Sequence, residues 1–83
     1  MISDVKKMAR LNYKRLRHVN VGAVSEVVYK ELEKQGISRT KIRDIAWYQY
    51  GSYARQPLIV FLRDGRIFKV GVRRNNIYVE KIK

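Results

Sequence analysis

The C-terminal third of this chain constrains its fold more than any other feature. Leu58 to Arg63, Arg66 to Arg74 and Ile77 to Ile82 are runs of β-branched, aromatic and aliphatic residues, separated by the turn dipeptides Asp64-Gly65 and Asn75-Asn76. Such a pattern predicts a three-stranded antiparallel meander. With two-residue turns at both places, Arg63 pairs with Arg66 and Arg74 with Ile77, and every side chain is assigned to a face. One face then collects Ile59, Phe61, Phe68, Val70, Val72, Ile77 and Val79, the expected core face. The other collects Leu58, Val60, Leu62, Ile67, Lys69, Gly71, Arg73, Tyr78, Glu80 and Ile82. That second set is too apolar for a solvated surface and too charged for a core. Cover by a helix, by a second copy of the chain or by a ligand are the open alternatives.

Upstream, the spacing predicts two helices. From Ser3 to Arg17, the residues Ile2, Val5, Ala9, Tyr13 and Leu16 fall at helical intervals, Ser3 is placed to cap and Asp4 sits in the first turn. The cations crowd toward the C-terminal half, where the helix dipole favours them. A second helix is expected from Ala23 to Gln35, with Asn20 as cap, Val24, Val27, Val28 and Leu32 as the buried stripe and Gly36 as terminator. Its outer face carries Glu26, Glu31 and Glu33. A helix-turn-helix reader needs a basic second helix, so this pair does not fit that motif.

Residues 38–50 admit two readings. Ser38 begins a third helix with Ile42, Ile45 and Ala46 inside, or Asp44 to Tyr50 is a strand preceded by one helical turn from Thr40 to Arg43; the aromatics favour the strand. Gly51 to Pro57 reads as a loop. The expected fold is therefore α+β, with two N-terminal helices packed on one face of a three- or four-stranded antiparallel sheet ending in a β-meander. Residues 1–83 form one small basic domain, since a chain of 83 residues supports one modest core.

Charge points to the class of partner. Nineteen Lys and Arg against seven Asp and Glu give a net charge of +12, and a field of that strength attracts polyanions. The expected function is a non-catalytic nucleic-acid-binding module, for DNA or RNA, that grips phosphates with weak sequence preference. The first helix would contribute Lys6, Lys7, Arg10, Lys14, Arg15 and Arg17. The sheet would contribute Lys69, Arg73 and Tyr78, combining phosphate contact with base stacking. Tyr53 and Arg55, with Arg43 and the turn residues Arg63, Arg66, Arg73 and Arg74, are expected to form a second basic edge, where guanidinium forks suit phosphate. The alternative is an interaction module docking an acidic protein through the same surface. Homodimerisation is a further expectation, because the core is thin and apolar residues are left over.

Catalysis, cofactors and metals find no support in the residue pattern. There is no cysteine, His18 is the sole histidine, and Asp4, Asp44, Asp64 and Glu80 are scattered along the chain. The isolated glycines form no phosphate-binding loop. The longest continuous apolar run is Leu58 to Leu62. No export signal or membrane span is expected, and a cytoplasmic setting fits the cysteine-free composition.

Overall fold

The computed structural model describes residues 12–49 and 56–83. They form five antiparallel strands: β1 (Leu16–Val19), β2 (Ile42–Tyr48), β3 (Leu58–Leu62), β4 (Ile67–Arg73) and β5 (Asn76–Lys81). The strand order in the sheet is the order in the chain. One α-helix, α1 (Glu26–Lys34), lies between β1 and β2 in sequence and packs on one face. The expected pair of helices over a three- or four-stranded sheet is thus corrected to one helix and five strands among the described residues.

The error arose at residues 12–17. Asn12 Oδ1 accepts the Lys14 N–H at 3.0 Å and closes a single 3-10 turn, Tyr13–Arg15, after which the chain enters β1. Leu16 faces one side of the sheet and Val19 the other, and both are half-buried. Tyr13, Leu16 and Val19 are three apart, an interval shared by a helical stripe and a short strand covered on both faces. The remainder of the expected first helix lies outside the described residues.

Local chemistry sets the limits of α1. Ser25, rather than Asn20, caps it, its Oγ accepting the Val27 N–H at 3.3 Å. At the other end Gly36 has φ 81°, its N–H reaches Glu33 O at 2.9 Å, and Ile37 N–H reaches Leu32 O at 3.0 Å. These two bonds make a Schellman termination, with Ile37 packed in the cluster that holds Leu32. Tyr29 and Leu32 drive the helix onto Ile37, Ile42, Ile45, Leu58, Val60, Leu62, Phe68 and Val70. Each large side chain buried there contributes about 1.5–3 kcal/mol. The Tyr29 hydroxyl donates to Val21 O, so its polar tip is satisfied. Burial pushes the phenol above its usual pKa, opposed in part by the Arg39 guanidinium.

The two hairpins differ from the expected ones in instructive ways. Between β3 and β4 the loop has three residues, Arg63-Asp64-Gly65, because Leu62 N–H bonds Arg66 O at 2.9 Å and Gly65, at φ 96°, completes a bulged turn. Phe61 pairs with Ile67, one residue off the expected register, and this slip inverts β3 relative to β4. Leu58, Val60 and Leu62 therefore join Phe68 and Val70 under the helix, whereas Ile59 and Phe61 join Ile67 and Ile82 on the far face. Between β4 and β5 the turn residues are Arg74 and Asn75, at φ 53° and 65°, so Arg73 pairs with Asn76. That shift moves the pairing by an even step and leaves the faces unchanged. The pairs are now Val72 with Ile77 and Val70 with Val79, still on one face.

The far face has its own apolar patch. Ala46, Ile59, Phe61, Ile67 and Ile82 are buried, with Leu16 and Tyr48 packed against them and the Tyr13 ring stacked 6.4 Å from Phe61. Burial on both sides explains why the central strand β3 is apolar at every position.

Candidate functional site

Because neighbouring strands run antiparallel, the sheet has two ends of different composition. At one end lie the start of β1, the finish of β2, the start of β3 and the β4–β5 turn. Here called the Trp47 end, it gathers Arg15, Arg17, Trp47, Gln56, Arg73, Arg74 and Tyr78. At the Asp64 end lie the β3–β4 turn and the start of β2, with Arg39, Lys41, Arg63 and Arg66. The ends are about 20 Å apart along β4. The single basic edge expected from Arg43, Arg63, Arg66, Arg73 and Arg74 is therefore split in two.

Three arginines of the Asp64 end, Arg39, Arg63 and Arg66, are hydrogen-bonded within the fold, while the exposed Arg43 at the start of β2 has a ring contact with Phe61. Arg66 Nε lies 2.8 Å from Asp64 Oδ2. The Asp64 carboxyl also accepts the Arg66 backbone N–H at 3.0 Å, and that bond, ahead of the guanidinium, holds it below the usual carboxylate range. Arg39 grips both Glu26 oxygens at 2.7 and 2.8 Å and lies 3.9 Å from the Tyr29 ring centroid. Arg63 Nε donates to Thr40 O at 3.1 Å.

At the Trp47 end no arginine meets a carboxylate among the described residues. Arg15 donates to Gln49 O at 3.2 Å, and Lys14 and Arg17 are exposed. On the far face Tyr78 stands opposite Gly71, and a Cβ at Gly71 would come within 2.6 Å of the Tyr78 hydroxyl and 2.7 Å of Cζ. The mid-strand glycine is thus the bed on which the tyrosine ring lies. Arg73 Cζ is 4.6 Å and Lys69 Nζ 5.7 Å from the ring centroid, so two cations flank one aromatic. Lys69, Arg73 and Tyr78, grouped in the sequence reading, are adjacent; Arg43 lies apart, 5.6 Å from the Phe61 ring. Lys6, Lys7, Arg10, Tyr53 and Arg55 lie outside the described residues.

The sequence reading missed a slot at this end. Leu58 pairs with Val70, so Gly71 to Arg73 and their β5 partners run past the start of β3. The overhang leaves a pocket of about 290 Å³ lined by the aliphatic Val28, Leu58, Val70, Val72 and Ile77 and by Trp47, Gln56, Gly71, Arg73 and Tyr78. Trp47 is 39% exposed, unusual for the largest apolar side chain in a small protein. The usable signal was strand alternation: Trp47 follows Ile45 by two residues, and so lies on the helix face where β2 ends.

His18 and Asp44 form another polar pair, Nδ1 to Oδ2 at 2.8 Å, joining β1 to β2. A histidine–carboxylate pair is half of a proton relay, but no nucleophile is hydrogen-bonded to this histidine among the described residues. Nor do the described residues bring three His, Cys, Asp or Glu side chains together as a metal site would require. Among them, no helix is long and apolar enough to cross a membrane. Searches against models of protein families, curated proteins and solved structures found no match, so the residues themselves carry the functional reading.

Proposed function

We propose that the chain is a non-catalytic nucleic-acid-binding module whose contact surface is the Trp47 end of the sheet. The observation that supports this most is the sorting of arginine partners. Arg39 and Arg66 are bound to carboxylates at the opposite end, whereas Arg17, Arg73 and Arg74 meet none among the described residues, Arg17 being the cross-strand partner of Trp47 and Arg73 lying over the Tyr78 ring. Arginine beside exposed aromatics suits a ligand that presents phosphates and flat bases together. An acidic protein would satisfy the charge but makes no use of Trp47 and Tyr78. A chain without cysteine loses nothing in a reducing compartment, and we assign the module to the cytoplasm.

The test is binding to matched single-stranded and duplex DNA and RNA across a salt series. Neutralising about four phosphates on a single strand gives a slope of log K against log salt near −2.8. Replacing Arg17, Arg73 and Arg74 together by Gln should flatten that slope by about 2, and replacing Arg63 and Arg66 should leave it within about 0.5. Absence of binding to all four forms at moderate salt would overturn the reading in favour of an acidic protein partner.

A further inference from the structure

We propose that the slot at the Trp47 end receives one unpaired nucleobase of a single strand, an inference that rests on the nucleic-acid reading above. Half of its lining is aliphatic, from Val28, Leu58, Val70, Val72 and Ile77, and its volume of about 290 Å³ is at the small end for a ligand pocket. That is room for one planar ring system. The Trp47 indole in that lining offers a stacking face, and such contacts tolerate any base because every base has a π-face.

Two polar features complete the fit. Gln56 lines the slot, and a glutamine amide there offers a donor and an acceptor to a base edge. Arg73 lines it too, and Arg17 is registered opposite Trp47. Among the described residues no carboxylate lines the slot. A base entering there brings its backbone phosphates against cations that the fold leaves without acidic partners, so the charge of the rim matches the ligand's. A base within a duplex has both faces stacked and its pairing edge occupied, and the slot therefore selects the single strand.

Trp47 is the sole tryptophan, so the intact protein reports on its own slot by fluorescence. The experiment titrates the wild-type chain with a single-stranded oligonucleotide of about ten nucleotides, with its duplex, and with the same single strand made wholly abasic. Both DNA and RNA versions are used, and bulk binding is followed in parallel by anisotropy of an end label. The expected result is quenching of Trp47 by the intact single strand and none by duplex or abasic strand. Gln56→Ala and Trp47→Leu should weaken single-strand binding about 5- to 100-fold and leave duplex binding unchanged. Single-strand binding by anisotropy with Trp47 emission unmoved would overturn the slot while leaving the nucleic-acid reading intact. No anisotropy change with any probe would overturn both. The wild-type titration decides the matter even if Trp47→Leu does not fold.

Discussion

The Trp47 end and the Asp64 end are built from the same strands, yet they treat arginine in opposite ways. At the Asp64 end each of Arg39, Arg63 and Arg66 is bound to an acceptor a short distance away: Glu26, the Thr40 carbonyl and Asp64. Those arginines serve the fold. At the Trp47 end the acceptors are a ring and one carbonyl, and no carboxylate among the described residues meets these arginines. Net charge alone hides this difference, because +12 is a sum over the whole chain and does not say which cations are paired.

The comparison can be broken first at Gly71. Gly71→Ala sets a methyl where the Tyr78 ring lies, so the ring must swing off the sheet and loses its place between Lys69 and Arg73. The expected cost is about 1–2 kcal/mol. Thermal unfolding should show it as a fall in Tm of about 4–8 °C per kcal/mol. In a Tyr78→Ala background the same substitution should cost little, because nothing remains to be displaced. An undiminished cost there would show that Tyr78 is not what requires the glycine.

A gentler change makes the Trp47 end resemble its opposite. Asn76 is the cross-strand partner of Arg73, and Asn76→Asp would put a carboxylate beside that guanidinium. Nucleic-acid affinity at low salt should drop about three- to tenfold, with little change in Tm because exposed pairs contribute about 0–1 kcal/mol. Isothermal titration with a single strand measures the first quantity and calorimetric melting the second.

The smallest effect is at Asp64. Its folded carboxyl titrates below the ordinary 3.8, so its stabilisation is present above that value and is lost as pH falls through the depressed one. Asp64→Asn should therefore melt slightly lower at neutral pH, and the gap to wild type should close below about pH 3.8. A gap that persists in strong acid would assign the effect to turn geometry rather than charge.

Particular residues show why parts of the molecule were readable in sequence and others were not. The Gly36 termination was visible because a glycine after a helical stripe is a ready left-handed stop, and β2 was favoured over a third helix by its aromatic residues although both readings stood open. The β4 and β5 faces survived an error in turn position because the error was even. The β3 face did not, because Asp-Gly suits both a two-residue turn and the last two places of a bulged three-residue turn. Leu58 to Leu62 is apolar throughout and carries no alternation to correct the slip. At the site, the nearness of Lys69, Arg73 and Tyr78 followed from strand pairing alone. The Trp47 slot was invisible because it is made by strands ending at different heights, a property of three registers together.

The agreement of strand order with chain order also bears on assembly. Strands β3, β4 and β5 join through tight turns, so they can zip up one hairpin at a time without a crossover. Strand β1 is the exception: to reach β2 it must close a loop that contains all of α1. Closing the longer loop costs more chain entropy, and β1 is accordingly expected to dock late and to fray early. Arg17 travels with it. The surface proposed for nucleic acid is thus completed by the strand expected to dock last, and a bound strand bridging Arg17 on β1 and Arg73 on β4 would act as a clasp across the sheet, holding the first strand to the fourth.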